Sequence, residues 1–387
     1  MKIGILTYHR EINKGSVMQA YCLEQLLRDR WPTADVEIID YRSSATETSD
    51  VNTLLKQSMA QLAFGHAPTQ IFRHSDKKES VRRFLNNNCS ISSISRTTDN
   101  LQEAIEYIQS LDYDVIFVGS DTVWSVRKNG GGPTPPNIFQ LPGVDSTKIG
   151  FSVSMDQTND GLLQNLSDEM HQYISEFDCI SVRDRYTQQR LQRLGISKKR
   201  VHYMPDPTLL WDFSKHIEQP PIDLDQNTVG LEIENLFIKR KITKQLRKQG
   251  KTVLNLLGPA VRGQQSPPSN LSVGERIGVY DELDYLITNR FHGSIFTIKT
   301  TSTPFVYIEQ KQKYPDNMSK VRDLYTRLGI SDLIIESDGD IPNEILKTHR
   351  PIWEENQDEM QSRLTDLIRE GSSTFSDLSK SLVNVSK

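Results

Sequence analysis

The sequence predicts an α/β protein built as two Rossmann-like domains that face each other across a cleft. Three observations predict it. Short apolar runs alternate with stretches whose apolar residues recur at three- and four-residue spacing, the rhythm of buried parallel strands joined by helices. That rhythm runs to about residue 212, breaks over a stretch containing Pro220-Pro221, and resumes near residue 228. At 387 residues the chain is too long for one ordinary core and suits two. The expected units are a first domain over 1–212, a linker over 213–227, a second domain over 228–352, and a C-terminal helix with a frayed tail over 353–387.

The chain opens Met1-Lys2-Ile3-Gly4-Ile5-Leu6, which reads as a strand over Ile3–Thr7 and not as a signal peptide. A loop leads into a helix in which Val17, Ala20, Tyr21, Leu23, Leu26 and Leu27 share a face. Val36–Ile39 is a second strand. The loop between lacks the GxGxxG of dinucleotide enzymes, which argues against NAD. Residues 43–100 are polar, with helical patterns over 54–64 and 81–85, and read as an insertion packed on the sheet. Strands follow at 114–118, 148–154 and 179–182, with helices over 162–177 and 186–194 and a Gly- and Pro-rich loop over 127–137. Pro205 and Pro207 bracket Asp206 and close the first domain. The second domain reads as strands at 229–233, 252–256, 285–288, 305–308 and 333–335, with helices over 236–248, 291–300 and 321–328 and a polar loop from 257 to about 268. Helical periodicity returns over 353–368, and the Ser-rich stretch 371–387 is expected to fray.

Composition narrows the function. Hydrophobic content of 36% and charged content of 25% describe a soluble globular chain. A net charge of −4 gives no global attraction for nucleic acid, so an anion site must be a local cluster of cations. Cys22, Cys89 and Cys179 lie far apart without CxxC spacing, which fits a reducing compartment without disulfides or zinc knuckles. The eight His are scattered, and no required metal is expected. No apolar run is long enough to span a bilayer, so the expected location is cytoplasmic.

The most informative stretch is Tyr285 to Phe296. A buried strand ends at Thr288-Asn289 and a helix starts at Phe291, so Arg290 and His292 fall at a strand's carboxyl end and a helix's amino end. Ligands bind at that place in open α/β sheets, and helix amino ends favour anions. A permanent cation beside an imidazole there points to an acidic substrate.

Taken in order, several segments resemble the polysaccharide pyruvyl transferase family. They are Lys2–Ile5 with Asn13-Lys14-Gly15-Ser16-Val17-Met18-Gln19-Ala20-Tyr21 and Ile38–Arg42, then Asp114–Trp124 and Gly150–Ser154, then Ser181–Asp184, Asp206–Thr208 and Asn289–Ser294. The chain departs from many members at Asn289-Arg290, where Asp-Ser is frequent, and at Lys320, where Arg is frequent. Residues 43–100 and 257–282 match poorly, and those segments would set the acceptor.

The resemblance implies a GT-B-like architecture, with the acceptor on the first domain and the donor on the second. It implies transfer of a pyruvyl group from phosphoenolpyruvate, a co-substrate with no further cofactor, to hydroxyls of a sugar in a polysaccharide, exopolysaccharide or glycolipid precursor, forming a ketal. The acceptor would be lipid-linked or nucleotide-linked, and the protein would work at the inner face of the membrane through a peripheral contact. His292 is then the candidate acid. Arg290 is its catalytic partner, and Asp121 or Asp206 accepts the hydroxyl proton. Arg183 is a fork for the donor's anions. Ser181, Asp206, Ser120, Asn13, Gly15, Ser16, Gln19, Gly293 and Ser294 are candidate substrate-binding residues.

Each has a plainer reading. Arg183-Asp184 could be a helix-start ion pair, Asp206-Pro207 a turn, Ser120-Asp121 a cap, Trp124 packing instead of a sugar platform, and His9 a lone strand-end residue. Two other functions share the architecture. A nucleotide-sugar glycosyltransferase would want a ribose-binding carboxylate, for which Glu309 is the candidate. A non-catalytic carbohydrate-binding relative would need no acid.

Overall fold

Six strands of the first half form one parallel sheet: β1 Lys2–Leu6, β2 Asp35–Ile38, β3 Val115–Asp121, β4 Thr147–Val153, β5 Cys179–Val182 and β6 Val201–Tyr203. They lie in the order β2-β1-β3-β4-β5-β6. Five strands of the second half form another: β7 Thr228–Glu232, β8 Thr252–Asn255, β9 Tyr285–Thr288, β10 Phe305–Glu309 and β11 Ile334–Glu336, in the order β8-β7-β9-β10-β11. This computed structural model describes residues 1–45, 70–127, 137–310, 318–337 and 345–385, and also Asn52, Leu55, Ser58 and Met59. The helix expected over 54–64 and the Gly- and Pro-rich loop over 127–137 lie almost wholly outside the described residues.

Both sheets begin from the same winding, with the first strand flanked by the second and the third. Each therefore has a switch point, between β1 and β3 and between β7 and β9, where a crevice opens at the carboxyl ends of the strands. The helices that matter start there. Helix α1 (Lys14–Arg30) follows β1 and is capped by Asn13, whose side chain accepts from the Gly15 N–H at 3.0 Å. Helix α2 (Arg185–Arg193) follows β5 and is capped by Asp184. Helix α3 (Phe291–Thr300) follows β9, and α4 (Lys320–Leu328) follows β10 with Ser319 as its cap. A closing helix, α5, runs from Ile345 to Val385.

One apolar cluster joins the two halves. Val17, Met18 and Tyr21 of α1 pack with Phe291, Ile295 and Phe296 of α3 and with Trp353 of α5. The amino ends of α1 and α3 are thereby pressed together, and the two switch points meet.

The structure departs from the sequence reading in several places. The helix expected over 162–177 is two helices, Asp160–Asn165 and Ser167–Ser175, that turn at Leu166. Helices Leu101–Ser110 and Val273–Gly278 and the short strand β6 were not expected. Helix Gln70–Asn88, inside the presumed insertion, leans on the second domain: Ser80 Oγ donates to the Leu271 carbonyl at 2.9 Å and Arg73 to that of Pro267 at 3.3 Å. The Ser-rich stretch, expected to fray, is helical as far as Val385, because Phe375 is buried against Phe151 and Trp31 and its packing outweighs the poor helix propensity of serine. Among the described residues, no helix is long and apolar enough to cross a membrane.

Candidate active site

The residue at the centre of the junction is Arg183, which leaves β5 with only 1% of its side chain exposed. One Nη donates to Asp206 Oδ2 at 2.9 Å and the other to Asp121 Oδ1 at 3.3 Å. Its guanidinium plane lies over the Phe291 ring, 5.0 Å from the centroid. Asp206 also accepts from Gln19 Nε2, from the Thr208 N–H at 3.1 Å and from the Thr208 hydroxyl at 2.6 Å. Asp121 accepts from the Thr122 N–H at 2.7 Å and from Ser16 Oγ at 3.3 Å. A buried fork is thus held by two carboxylates, and each carboxylate is anchored by the start of a helix or loop.

His292 enters this network from the other domain. Its Nε2 stands 3.6 Å from Asp206 Oδ2, beyond hydrogen-bond length, and is buried without a partner. Gly15 makes its place: a Cβ built there would lie 2.2 Å from His292 Nδ1. Gly293 answers the same need beneath, where a Cβ would meet Glu232 Oε2 at 2.0 Å. Glu232, at the end of β7, accepts from Lys14 Nζ at 2.8 Å, from the Tyr280 hydroxyl at 2.9 Å and from the Thr288 hydroxyl at 2.8 Å.

Lys320 completes the cluster. It is half-buried at the start of α4, 4.0 Å from Asp156 Oδ2 and 4.9 Å above the Phe291 ring. Arg127 joins from beyond β3, and its charge is felt at both Lys320 and Tyr8.

The electrostatics follow from burial among like and unlike charges. Burial alone would raise the Asp206 carboxyl; His292 and Arg183 outweigh it and hold the group below the ordinary carboxylate range. Burial would also raise Asp121, and Arg183, Lys320 and His292 bring it below its usual value. Lys320 is pushed down to about 8 by burial and by Arg183, against the pull of Asp156 and Asp121. Glu232 would rise on burial, but Lys14 holds it low. Carboxylates held low are weak bases and good orienters. Buried polar atoms are nearly always paired, yet Ser120 Oγ, Gln19 Oε1, Arg183 Nε and His292 Nε2 are not. The unpaired Nε of the buried cation and three unpaired atoms on the residues beside it are what an anionic, hydroxyl-bearing ligand can satisfy.

Of the sequence candidates, Asn13, Gly15, Ser16, Gln19, Ser120, Asp121, Arg183, Asp206 and His292 come together. Others do not. Arg290 stays at the mouth, its side chain 37% exposed and 3.9 Å from Glu234. Ser181 is committed to the sheet: its hydroxyl accepts from the Ser152 N–H at 2.9 Å and donates to the Gly150 carbonyl at 3.1 Å. It supports the irregular stretch of β4, where Ser152 has a φ of 49°, and has no hydroxyl left for a ligand. Ser294 donates back to the Phe291 carbonyl at 2.8 Å within its own helix turn. Asp184 is a cap and Trp124 is packing, with its Nε1 donating to the Phe139 carbonyl at 2.9 Å. His9 bridges the Thr7 carbonyl and Asp40. Glu309 is consumed by Ser319 and Arg322, which leaves nothing for a ribose.

Sequence reasoning missed Lys14, Arg127, Glu232 and Lys320 as site residues. Lys14 sits inside the Asn13–Ser16 turn already singled out, and Glu232 ends a strand at a switch point, so both carried a signal. Lys320 was visible only as a departure from a frequent Arg. Among the described residues, no three His, Cys, Asp or Glu side chains gather as they would around a metal ion.

Comparison with known proteins bears on the family and the fold. The sequence profile of the polysaccharide pyruvyl transferases matches residues 13–311. No curated protein sequence matches significantly. Among solved structures, Anabaena Alr3699/HepE in complex with UDP-glucose aligns over 97% of this chain and 100% of its own, with a TM-score of 0.57 and 10% identity. S. aureus MnaA with UDP aligns over 94% and 91%, with a TM-score of 0.55 and 7% identity. The UDP-GlcNAc 2-epimerase of Neisseria meningitidis bound to UDP-GlcNAc aligns over 98% and 100%, with a TM-score of 0.53 and 10% identity. At these identities the likeness is one of fold: two Rossmann-like domains in the GT-B arrangement.

Proposed function

Because this chain belongs to the polysaccharide pyruvyl transferase family, we propose that it moves the pyruvyl group of phosphoenolpyruvate onto two hydroxyls of a sugar, closing a ketal and releasing phosphate. The observation that carries the reading is the buried Arg183, flanked by Lys320 and by a His292 whose Nε2 has no partner. Phosphoenolpyruvate brings a carboxylate and a phosphate, and charge-assisted bonds to both are the strong kind. Arg183 Nε and Lys320 Nζ offer two such bonds inside the junction, and Arg290 offers a third at its mouth.

A proton from His292 Nε2 goes to the methylene carbon of the enol phosphate, which leaves an oxocarbenium-like centre at the adjacent carbon. A sugar hydroxyl attacks that centre and gives its proton to the His292 Nε2 that the first step left free. A second hydroxyl of the same sugar then displaces phosphate, which takes that hydroxyl's proton and leaves with the original ester oxygen. Asp206 and Asp121, held low, orient Arg183 and steady the charged imidazole. Ser120 Oγ and Gln19 Oε1, buried without hydrogen-bond partners, bind the entering hydroxyls in this reading. The acceptor is a sugar of a polysaccharide or glycolipid precursor, met in the cytoplasm at the membrane's inner face.

The nucleotide-sugar reading loses its ribose carboxylate, since Glu309 is consumed by Ser319 and Arg322. The deciding experiment follows phosphate release from phosphoenolpyruvate with glycan precursors, with mass spectrometry of the product. A gain of the pyruvyl ketal supports the proposal; release of a nucleoside diphosphate from a nucleotide sugar instead would replace it. His292→Gln should keep donor binding by calorimetry and lose turnover, because an amide donates a hydrogen bond but does not transfer the proton.

A further inference from the structure

We propose that Lys14, Arg73, Lys77 and Arg276 form a second anion subsite in the same junction, which takes the diphosphate of a diphosphate-linked sugar. That the sugar is the pyruvyl acceptor rests on the function proposed above; the anion subsite itself does not.

The subsite is built where helix Gln70–Asn88 lies across the second domain. Arg73 and Lys77 are one helical turn apart and Ser80 follows three residues later, so all three share a face. Two of them are pinned by it: Arg73 bonds the Pro267 carbonyl and Ser80 that of Leu271. Arg276 comes from the facing helix Val273–Gly278 and donates to the Ser269 carbonyl at 3.1 Å. Lys77 lies between, half-buried. Among the described residues, its ammonium has no hydrogen bond and no ion pair. Burial, then Arg276, Lys14 and Arg73, push it down to about 8, and Glu232 is the carboxylate that pulls the other way.

The other charges nearby are spoken for. Glu232 is bound by Lys14, Tyr280 and Thr288. Asp76 accepts from Ser269 and Glu275 caps its own helix at Ser272, and the charge of both is felt at Arg276 and not at Lys77. Lys239, wholly buried, gives its ammonium to Asn255 Oδ1 and to the Leu257 and Pro259 carbonyls, so it fixes the loop after β8 and is not open to a ligand. Lys77 is thus a partly desolvated cation held among cations, an arrangement that costs free energy unless an anion completes it.

Position gives the anion its identity. Glu232 separates the two groups of cations. Gly293, beside His292, lies against one of its oxygens, and Lys14 binds the other. Phosphoenolpyruvate belongs with Arg183 and Lys320 on the His292 side. A molecule that offers hydroxyls to that centre and anions to Lys77 must carry its charge at the end of the sugar away from the reacting hydroxyls. Two adjacent phosphoryl groups on the anomeric oxygen meet that demand, because Lys77 has three further cations around it. A neutral sugar would leave the Lys77 ammonium without an anionic partner among the described residues.

The test uses the full chain and calorimetry with inorganic pyrophosphate, uridine diphosphate, farnesyl diphosphate and phosphoenolpyruvate. In Lys77→Met, pyrophosphate affinity should fall about tenfold or more, the loss of one charge-assisted contact, while phosphoenolpyruvate affinity holds. Melting temperature should not fall, because among the described residues Lys77 has no hydrogen bond or ion pair to lose. Arg276→Gln should repeat the loss, and Arg183→Ala should show the reverse selectivity. Uridine and farnesyl diphosphates should compete with pyrophosphate, and the tighter of the two identifies a nucleotide-linked or a lipid-linked source. Unchanged pyrophosphate affinity in both Lys77→Met and Arg276→Gln overturns the proposal, as does a loss confined to Arg183→Ala. If no sugar draws phosphate from phosphoenolpyruvate while Lys77→Met still loses pyrophosphate, the pyruvyl reading fails and the subsite stands. If turnover proceeds on a diphosphate-linked sugar whose KM is unaltered in Lys77→Met, the subsite fails and the reading stands.

Discussion

Gly15 and His292 touch across the domain junction so closely that a Cβ on residue 15 would lie 2.2 Å from the imidazole Nδ1. The backbone of the first domain therefore sets the position of the proposed acid, which the second domain supplies. Gly15→Ala should displace the ring and lower turnover about 10²-fold, the order expected when a reacting group is misplaced by an ångström. Steady-state phosphate release measures it. A variant with normal turnover would show that the ring's position does not matter.

Lys320 should govern the alkaline limb of the pH–rate profile. The free group titrates near pH 8, and its ammonium is the form that binds the donor. As pH rises through that value, kcat/KM for phosphoenolpyruvate should fall, because this parameter reports the free enzyme. Lys320→Arg keeps the charge at all working pH and should shift the limb upward. An identical limb in Lys320→Arg would assign it to another group.

Asp206 ties acid stability to the site. Its folded pKa lies below its unfolded value of about 3.9. A depressed carboxyl stabilises the fold fully above the unfolded value and loses that contribution as pH falls through and below it. Asp206→Asn should cost about 3–5 kcal/mol near neutrality, since it leaves Arg183 poorly paired in the interior. The gap from wild type in urea melts should then shrink on acidification below about pH 4. A gap that does not change with pH would mean that the carboxyl is not perturbed.

Ser181 provides the contrasting case. Ser181→Ala removes the acceptor for the buried Ser152 N–H, which should cost about 1–3 kcal/mol of stability. Donor KM should not change once the protein is folded. A selective rise in KM at unchanged melting temperature would return Ser181 to the binding site.

The pairing of these variants reflects what a sequence can and cannot carry. Strands such as Tyr285–Thr288 were legible because burial on both faces writes an unbroken apolar run, and helix Leu236–Lys248 because its apolar stripe has helical spacing. His292 was legible because it follows a strand that ends at a switch point. The short helix Val273–Gly278 was not, since its six residues include two glycines and owe their helicity to a capping box and to the packing of Val273 and Ile277. Ser181 looked like Ser120 in sequence; which hydroxyl faces the backbone of a neighbouring strand depends on register. Lys77 and Lys14 are sixty-three positions apart, and only the crossing of helix Gln70–Asn88 over the second domain brings them together.

The closing helix α5 has a mechanical consequence. Near its start, Arg350 bonds Asp284 at 2.7 Å and Trp353 packs on Phe305, both in the second sheet's layer. Near its end, Phe375 is wedged between Trp31 and Phe151 of the first. From Trp353 to Phe375 it spans about 33 Å at 1.5 Å per residue, with no proline in between. A rod riveted at both ends works as a spacer gauge between the leaves it joins. The leaves cannot swing wide about an open hinge while both rivets hold; they can slide or twist slightly, in the manner of shear. The register of Gly15 against His292 is then held as long as both rivets hold.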